Sequence, residues 1–210
     1  MEQKLYIFGI VESWLKVDEK HIIKEILPEG FSFKSVPRTN GNGGGLLLVF
    51  KSNLKIKFVE RENVSFEQLF CEVKLAKTTL KLLVLYRPPP NKTNGFTNAQ
   101  FLNEFSDSIG QLSATQGDII ICGDFNVHFG DKNAPLANEI EILFQSCDLK
   151  QHVLVPTHTA GHCLDWIISR NNQNYILNVK VQDLGISDHS ALLFDMQSPV
   201  IDPQVKTIIT

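Results

Sequence analysis

The four cysteines, Cys71, Cys122, Cys147 and Cys163, form no CxxC pair. That absence argues against zinc ligands and a disulfide framework. It leaves the thiols as reduced core residues of an intracellular protein, nuclear or cytoplasmic. No apolar stretch is long enough to span a membrane, so no membrane partner is expected. The opening MEQKLYIFGIVESWLK lacks the long apolar region and small-residue cleavage site of a signal peptide, since Glu12 breaks the run. Excess positive charge is also missing. The formal net charge is −3, so a polyanion must be held by a local site or a metal rather than by a global field. There is no internal repeat, no low-complexity tract, and nothing from which an obligate protein partner can be inferred. What is present is an ordinary globular composition, 43% hydrophobic and 20% charged over 210 residues, enough for one domain with a sizeable core.

Strand-like and helix-like patterns interleave. LYIFGIV (residues 5–11) is a continuous apolar run, and residues 31–37 alternate. GGGLLLVF (43–50) is a glycine-rich lead into a buried strand, and 54–60, 65–75 and 79–86 complete the first group. Three prolines at 88–90 force a loop. Phe101, Leu102, Phe105, Ile109 and Leu112 share one face of a helix over 98–114, and Leu136, Ile140, Leu143, Phe144 and Cys147 do so over 135–148. Further strands are expected at 162–169, 175–182 and 190–196, with a mobile tail over 199–210. Many short strands and few helices predict two packed sheets flanked by helices, not a doubly wound parallel sheet.

Polar residues with catalytic potential fall at strand ends. The apolar run DIIICG leads directly into Asp124, Phe125 and Asn126. Glu12 closes the first strand and Tyr86 the sixth, while Ser187, Asp188 and His189 precede the last. Each has a bland reading as a cap or turn residue. Asp165 resists it, because it sits between Leu164 and Trp166-Ile167-Ile168 in a segment apolar enough to be core. A carboxylate there needs a partner, and His189 is available.

The Tyr-Arg-Pro-Pro run, GDFN, LDWII and SDH follow one another in the order found in the endonuclease/exonuclease/phosphatase (DNase I-like) family. The sequence most resembles the apurinic/apyrimidinic-type endonuclease domains of non-LTR retrotransposons, through VESWL, GGGLLLVF and THTAGHCLDWIIS. The resemblance implies an α/β (α+β) four-layer α-β-β-α sandwich of two mixed, mainly antiparallel sheets. It implies a Mg²⁺-dependent phosphodiester hydrolase that nicks DNA, with Mn²⁺ as an alternative cofactor. Asp124 would act on the attacking water, and Asn126, Tyr86 and His189 would contact the phosphate. Asp165 would orient His189. Glu12 resembles the metal-ligating glutamate, and Asp188 a residue at a second or alternative metal position. Ser187 would help position the site, and Thr157 and His162 would touch the substrate backbone. The alternatives are a catalytically impaired remnant, or a phosphatase or phosphodiesterase acting on small or lipid phosphates.

The family begins with a strand carrying an asparagine, I-x-x-x-N, which helps hold the metal or phosphate. This sequence begins at Met1, just before the strand that leads to Glu12. The resemblance then implies a domain over residues 1–198 lacking that first strand, with sheet edges left unpaired. A site built on Glu12 without the asparagine is expected to bind Mg²⁺ weakly and to nick DNA poorly.

Overall fold

The computed structural model describes residues 5–38, 43–62, 65–172, 174–197 and the backbone of 205–209. The chain folds into two six-stranded sheets. The first contains β1 (Leu5–Val11), β2 (Phe31–Val36), β3 (Leu46–Lys51), β10 (Ile176–Gln182), β11 (Ala191–Met196) and β12 (Val205–Ile209), in the order β10-β11-β12-β1-β3-β2. The second contains β4 (Ile56–Val59), β5 (Glu67–Lys74), β6 (Thr79–Tyr86), β7 (Asp118–Asp124), β8 (Leu149–Gln151) and β9 (Asp165–Arg170), in the order β4-β5-β6-β7-β9-β8. Only the β1–β12 and β6–β7 pairs are parallel, so both sheets are mixed and mainly antiparallel, as expected.

Alternation decides what each strand buries. Leu46, Leu48 and Phe50 project from one face of β3 into the core shared with Leu69, Leu82 and Val84 of the second sheet. Phe50 and Phe58 meet across that interface with ring centroids 5.6 Å apart. The outer face of the second sheet is covered by α2 (Asn98–Ser113) and α3 (Pro135–Ser146). Phe101, Phe105, Ile109 and Leu112 are the buried stripe of α2, and Thr97 caps it by accepting the Gln100 N–H at 3.1 Å, a contact worth about 1 kcal/mol. Pro135 starts α3, where its missing N–H costs nothing. On the first sheet, Leu47 and Leu193 are buried on the faces opposite their core-facing neighbours. The short helix α1 (Lys20–Ile26) buries Ile23 outside the main core cluster. No helix among the described residues is long and apolar enough to cross a membrane.

Both expected helices form within two residues of their expected ends. The differences lie where local pattern is thin. Helix α1 has seven residues and one buried side chain, too few to show a period. Strand β8 has three residues. The strand expected at 162–169 begins at Asp165, which puts that carboxylate at a strand end rather than inside one. Residues 205–209, read from sequence as part of a mobile tail, form β12, hydrogen-bonded parallel to β1 and antiparallel to β11. Strand β12 thereby joins β1 and β11 into one sheet.

Candidate active site

The site is built on strand ends from both sheets. Strand β7 runs into Asp124 with Tyr86 beside it on parallel β6 and Asp165 opposite it on antiparallel β9. Gly123 makes the approach feasible. Its φ is +138°, and a Cβ there would lie 1.9 Å from the Leu85 carbonyl oxygen. Phe125 then turns into the helix layer, fully buried and stacked on Trp166 with centroids 4.1 Å apart. An aromatic anchor between Asp124 and Asn126 fixes both polar neighbours at the rim. Trp166 does the same for Asp165.

Asn126 has φ +47°, a conformation asparagine tolerates better than most residues. Its backbone N–H donates to Asp124 Oδ1 at 2.8 Å. Its carboxamide Nδ2 donates to Asp124 Oδ2 at 2.8 Å and to the Arg87 carbonyl at 2.9 Å. Both amide protons are therefore committed, and in this arrangement Asn126 orients Asp124 rather than pointing a donor at a phosphate.

His189 Nδ1 lies 2.8 Å from Asp165 Oδ2, inside the range expected for an orienting pair. Asp165 is 1% exposed, and its other oxygen, Oδ1, has no hydrogen-bond partner among the described residues. The hydrogen bond to Asp165 raises the His189 pKa to about 9 against the opposing effect of burial. Burial, with the Asp165 charge next, raises Asp124 to about 7. Thr157 is expected from sequence to touch the substrate backbone. It is fully buried, and its hydroxyl accepts the N–H groups of Leu164 and Asp165 at 3.0 and 3.1 Å. Sealed from solvent, the side chain is placed to hold Asp165.

Glu12 stands at the exposed rim with φ +52°, strained for a non-glycine residue. The backbone beyond it is clamped to the glycine run: Ser13 and Trp14 N–H groups donate to the Gly45 and Gly44 carbonyls at 3.0 and 2.8 Å. Trp14 Nε1 donates to Glu12 Oε2 at 3.1 Å. Burial, then a hydrogen bond with Glu12, raises the Tyr86 phenol far above its ordinary range. Arg38 lies over the Tyr86 ring at 5.6 Å and pairs with Glu67, whose Oε2 accepts the Gly45 N–H at 2.6 Å.

The SDH segment is local in its bonding. Ser187 Oγ accepts the His189 N–H at 3.1 Å and donates to Asp188 Oδ1 at 3.3 Å. Asp188 is exposed, and no hydrogen bond or ion pair among the described residues joins it to Glu12. Its partner is His158, at 3.3 Å, a residue the sequence reading passed over. His162 is exposed and sits 3.1 Å from His128, Nδ1 to Nδ1. Arg87 was also missed. It is 3% exposed and donates to the Phe125 and Asn126 carbonyls and to Asn98 Oδ1, stitching the GDFN turn to α2. An arginine followed by three prolines could have flagged a buried anchor.

The donor set suits a hard divalent cation. The carboxylates of Glu12, Asp124 and Asp165 act on one another or on Tyr86 electrostatically, and ligand-capable atoms of Asp124, Asp165 and His189 lie within 4.8 Å of one another. An Asp124 raised to about 7 by burial and then by the Asp165 charge, together with an unpartnered Asp165 oxygen, marks excess negative charge that a cation would relieve.

A model of the Endonuclease/Exonuclease/phosphatase family matches residues 2–189. The fold is similar to that of AP endonuclease LMAP from Leishmania major, with TM-score 0.73 at 15% identity, covering 92% of this chain and 78% of that one. It is similar to the endonuclease domain of TRAS1, a telomere-specific non-LTR retrotransposon, with TM-score 0.65 at 14% identity, covering 92% and 99%. The human Nocturnin catalytic domain gives TM-score 0.55 at 16% identity, covering 95% and 78%. No curated protein matches the chain in sequence. Identities this low speak for the fold alone, whereas the family match spans most of the chain. The protein belongs to the endonuclease/exonuclease/phosphatase family of metal-dependent hydrolases.

Proposed function

We propose that this protein is a divalent-cation-dependent phosphodiesterase that nicks DNA and leaves a 3′-hydroxyl. The observation that carries the reading is the 2.8 Å Asp165–His189 pair standing beside Asp124 at converging strand ends. Asp124 takes the proton of the attacking water as the water oxygen bonds to phosphorus. The P–O3′ bond breaks, and the 3′ oxygen leaves with its electron pair. A carboxylate at about 7 suits a base working near neutrality. His189, with Nδ1 committed to Asp165, presents Nε2 to a non-bridging phosphate oxygen. Tyr86 supplies a phenol at the same rim, and Asn126 holds Asp124 in line. Glu12, with Asp188 as a second position, would hold Mg²⁺ or Mn²⁺, which when bound neutralises charge on the phosphate and leaving oxygen. A phosphodiester approaching these carboxylates without such a cation would be repelled.

The VESWL, GGGLLLVF and GHCLDWIIS motifs, together with the likeness in fold to the TRAS1 endonuclease domain, favour DNA as substrate. Nicking of supercoiled plasmid with Mg²⁺, Mn²⁺ or EDTA tests the reading. Cation-dependent nicking that Asp124→Ala abolishes is the expected result. Asp165→Asn should fold normally and lose about 10²-fold or more in rate. Activity confined to small phosphomonoesters would favour a phosphatase, and silence from folded protein with either metal would favour a non-catalytic remnant.

A further inference from the structure

The rim holds a second acid–histidine pair, built in the opposite sense to the first. In the first, a buried carboxylate orients an imidazole. In the second, a held imidazole faces an exposed carboxylate. His158 and Asp188 side chains are 20% and 68% exposed, with His158 Nε2 3.3 Å from Asp188 Oδ2. The other ring nitrogen, His158 Nδ1, accepts the Ala160 backbone N–H at 3.0 Å. A nitrogen that accepts carries no proton, so the ring's hydrogen is on Nε2, where it donates to Asp188. The backbone fixes the rest. His158 and His189 form an antiparallel bridge, Thr159 N–H donates to the Asp188 carbonyl at 2.9 Å, and Ser190 N–H donates to the Thr157 carbonyl at 2.7 Å. The two imidazoles pack edge to face, 4.8 Å between centroids and 81° between planes.

We propose that His158 is the positioning residue of Asp188: a neutral imidazole locked as the Nε2–H tautomer by the Ala160 N–H, which holds one oxygen of the Asp188 carboxylate while Ser187 holds the other. Asp188 would otherwise sample its rotamers freely, given its exposure. Held from both oxygens, it presents one orientation to an incoming cation. This deepens the proposed function, and its part concerning the cation rests on that reading; the tautomer does not.

Two measurements separate these parts. Long-range ¹H–¹⁵N spectra of the metal-free protein read the tautomer directly. His158 is expected to show an unprotonated Nδ1 and a protonated Nε2; a proton on Nδ1 would overturn the proposal. Mn²⁺ binding to the protein alone, followed by electron paramagnetic resonance, reads the consequence. His158→Ala should weaken Mn²⁺ about 10- to 100-fold, the loss typical when a residue orienting a metal ligand is removed. His158→Gln can accept from Ala160 through its carbonyl and donate to Asp188 through its amide, and should restore binding to within a few-fold. Equal loss in both variants, or no loss in either, would sink the assignment. Neither readout needs the protein to cut DNA, so failure of the nuclease reading would show separately, as absent nicking.

Discussion

At the residue scale, the polar groups of the site hydrogen-bond one another, except for Asp165 Oδ1, which has no hydrogen-bond partner among the described residues. Thr157 separates positioning from substrate contact. Thr157→Val removes the acceptor of the buried Asp165 N–H and the part-buried Leu164 N–H and should cost about 1–3 kcal/mol. It should lower the nicking rate through Asp165 while leaving DNA affinity unchanged; a raised KM for DNA with the rate preserved would restore the substrate-contact reading. The charge states give a second test. His189 is raised from 6.5 to about 9, so its contribution to stability is full below about 6.5 and disappears as pH climbs through about 9. Asp124 is raised from 3.8 to about 7, so it too favours folding only while protonated and loses its contribution as pH rises through about 7. Both slopes have the same sign. Thermal midpoints of the metal-free protein should fall steadily between pH 6.5 and 9, and His189→Gln should flatten that decline. A midpoint that rises across this interval would show that the pair is wired differently.

At the element scale, β7 and its exit carry the site. The run Ile119–Cys122 is almost fully buried, and Gly123 lets it pass against β6 before Asp124 emerges. Gly123→Ala would place a methyl group against the Leu85 carbonyl in a backbone conformation hostile to any side chain. The expected cost is more than about 2 kcal/mol, read from urea unfolding. A variant of unchanged stability would mean that β6 and β7 can separate without consequence. Sequence periodicity revealed β7 and the two long helices because each repeats an apolar position over several turns or pleats. It missed α1 and β8 because one buried side chain or three residues make no period. The polar strand ends were legible as candidates, since a carboxylate after four apolar residues is unusual. His158 and Arg87 were not, because their value lies in partners distant in the chain: His158 with Asp188, Arg87 with Phe125, Asn126 and Asn98.

Across the whole molecule, β12 decides whether the first sheet is one sheet. It is the strand between β1, which ends at the Glu12 side of the rim, and β11, which follows His189. Without it the sheet would divide into β10-β11 and β1-β3-β2. Thr207 lies mid-strand, opposite Ile7 on one side and Phe194 on the other. Thr207→Pro deletes an N–H inside the ladder and should cost about 3 kcal/mol or more. Amide exchange in both β1 and β11 should accelerate together, and nicking should fall although no site residue has changed. Protection that persists in β1 and β11 would show that the two halves hold without β12.

Buried runs, helical stripes and strand-end carboxylates are local features, so the class of fold, the order of the long elements and the candidate site residues are legible from sequence. Packing fixes what those residues do to one another. Asn126 spends its amide protons on Asp124 and Arg87, Thr157 withdraws from solvent to hold Asp165, and Asp188 is held by His158. It also decided that residues 205–209 close the sheet. The Asn126–Arg87 and His158–Asp188 bonds and the β1–β12 pairing join groups tens of residues apart. A geometry that places donor against acceptor is fixed by packing, and no local pattern encodes it.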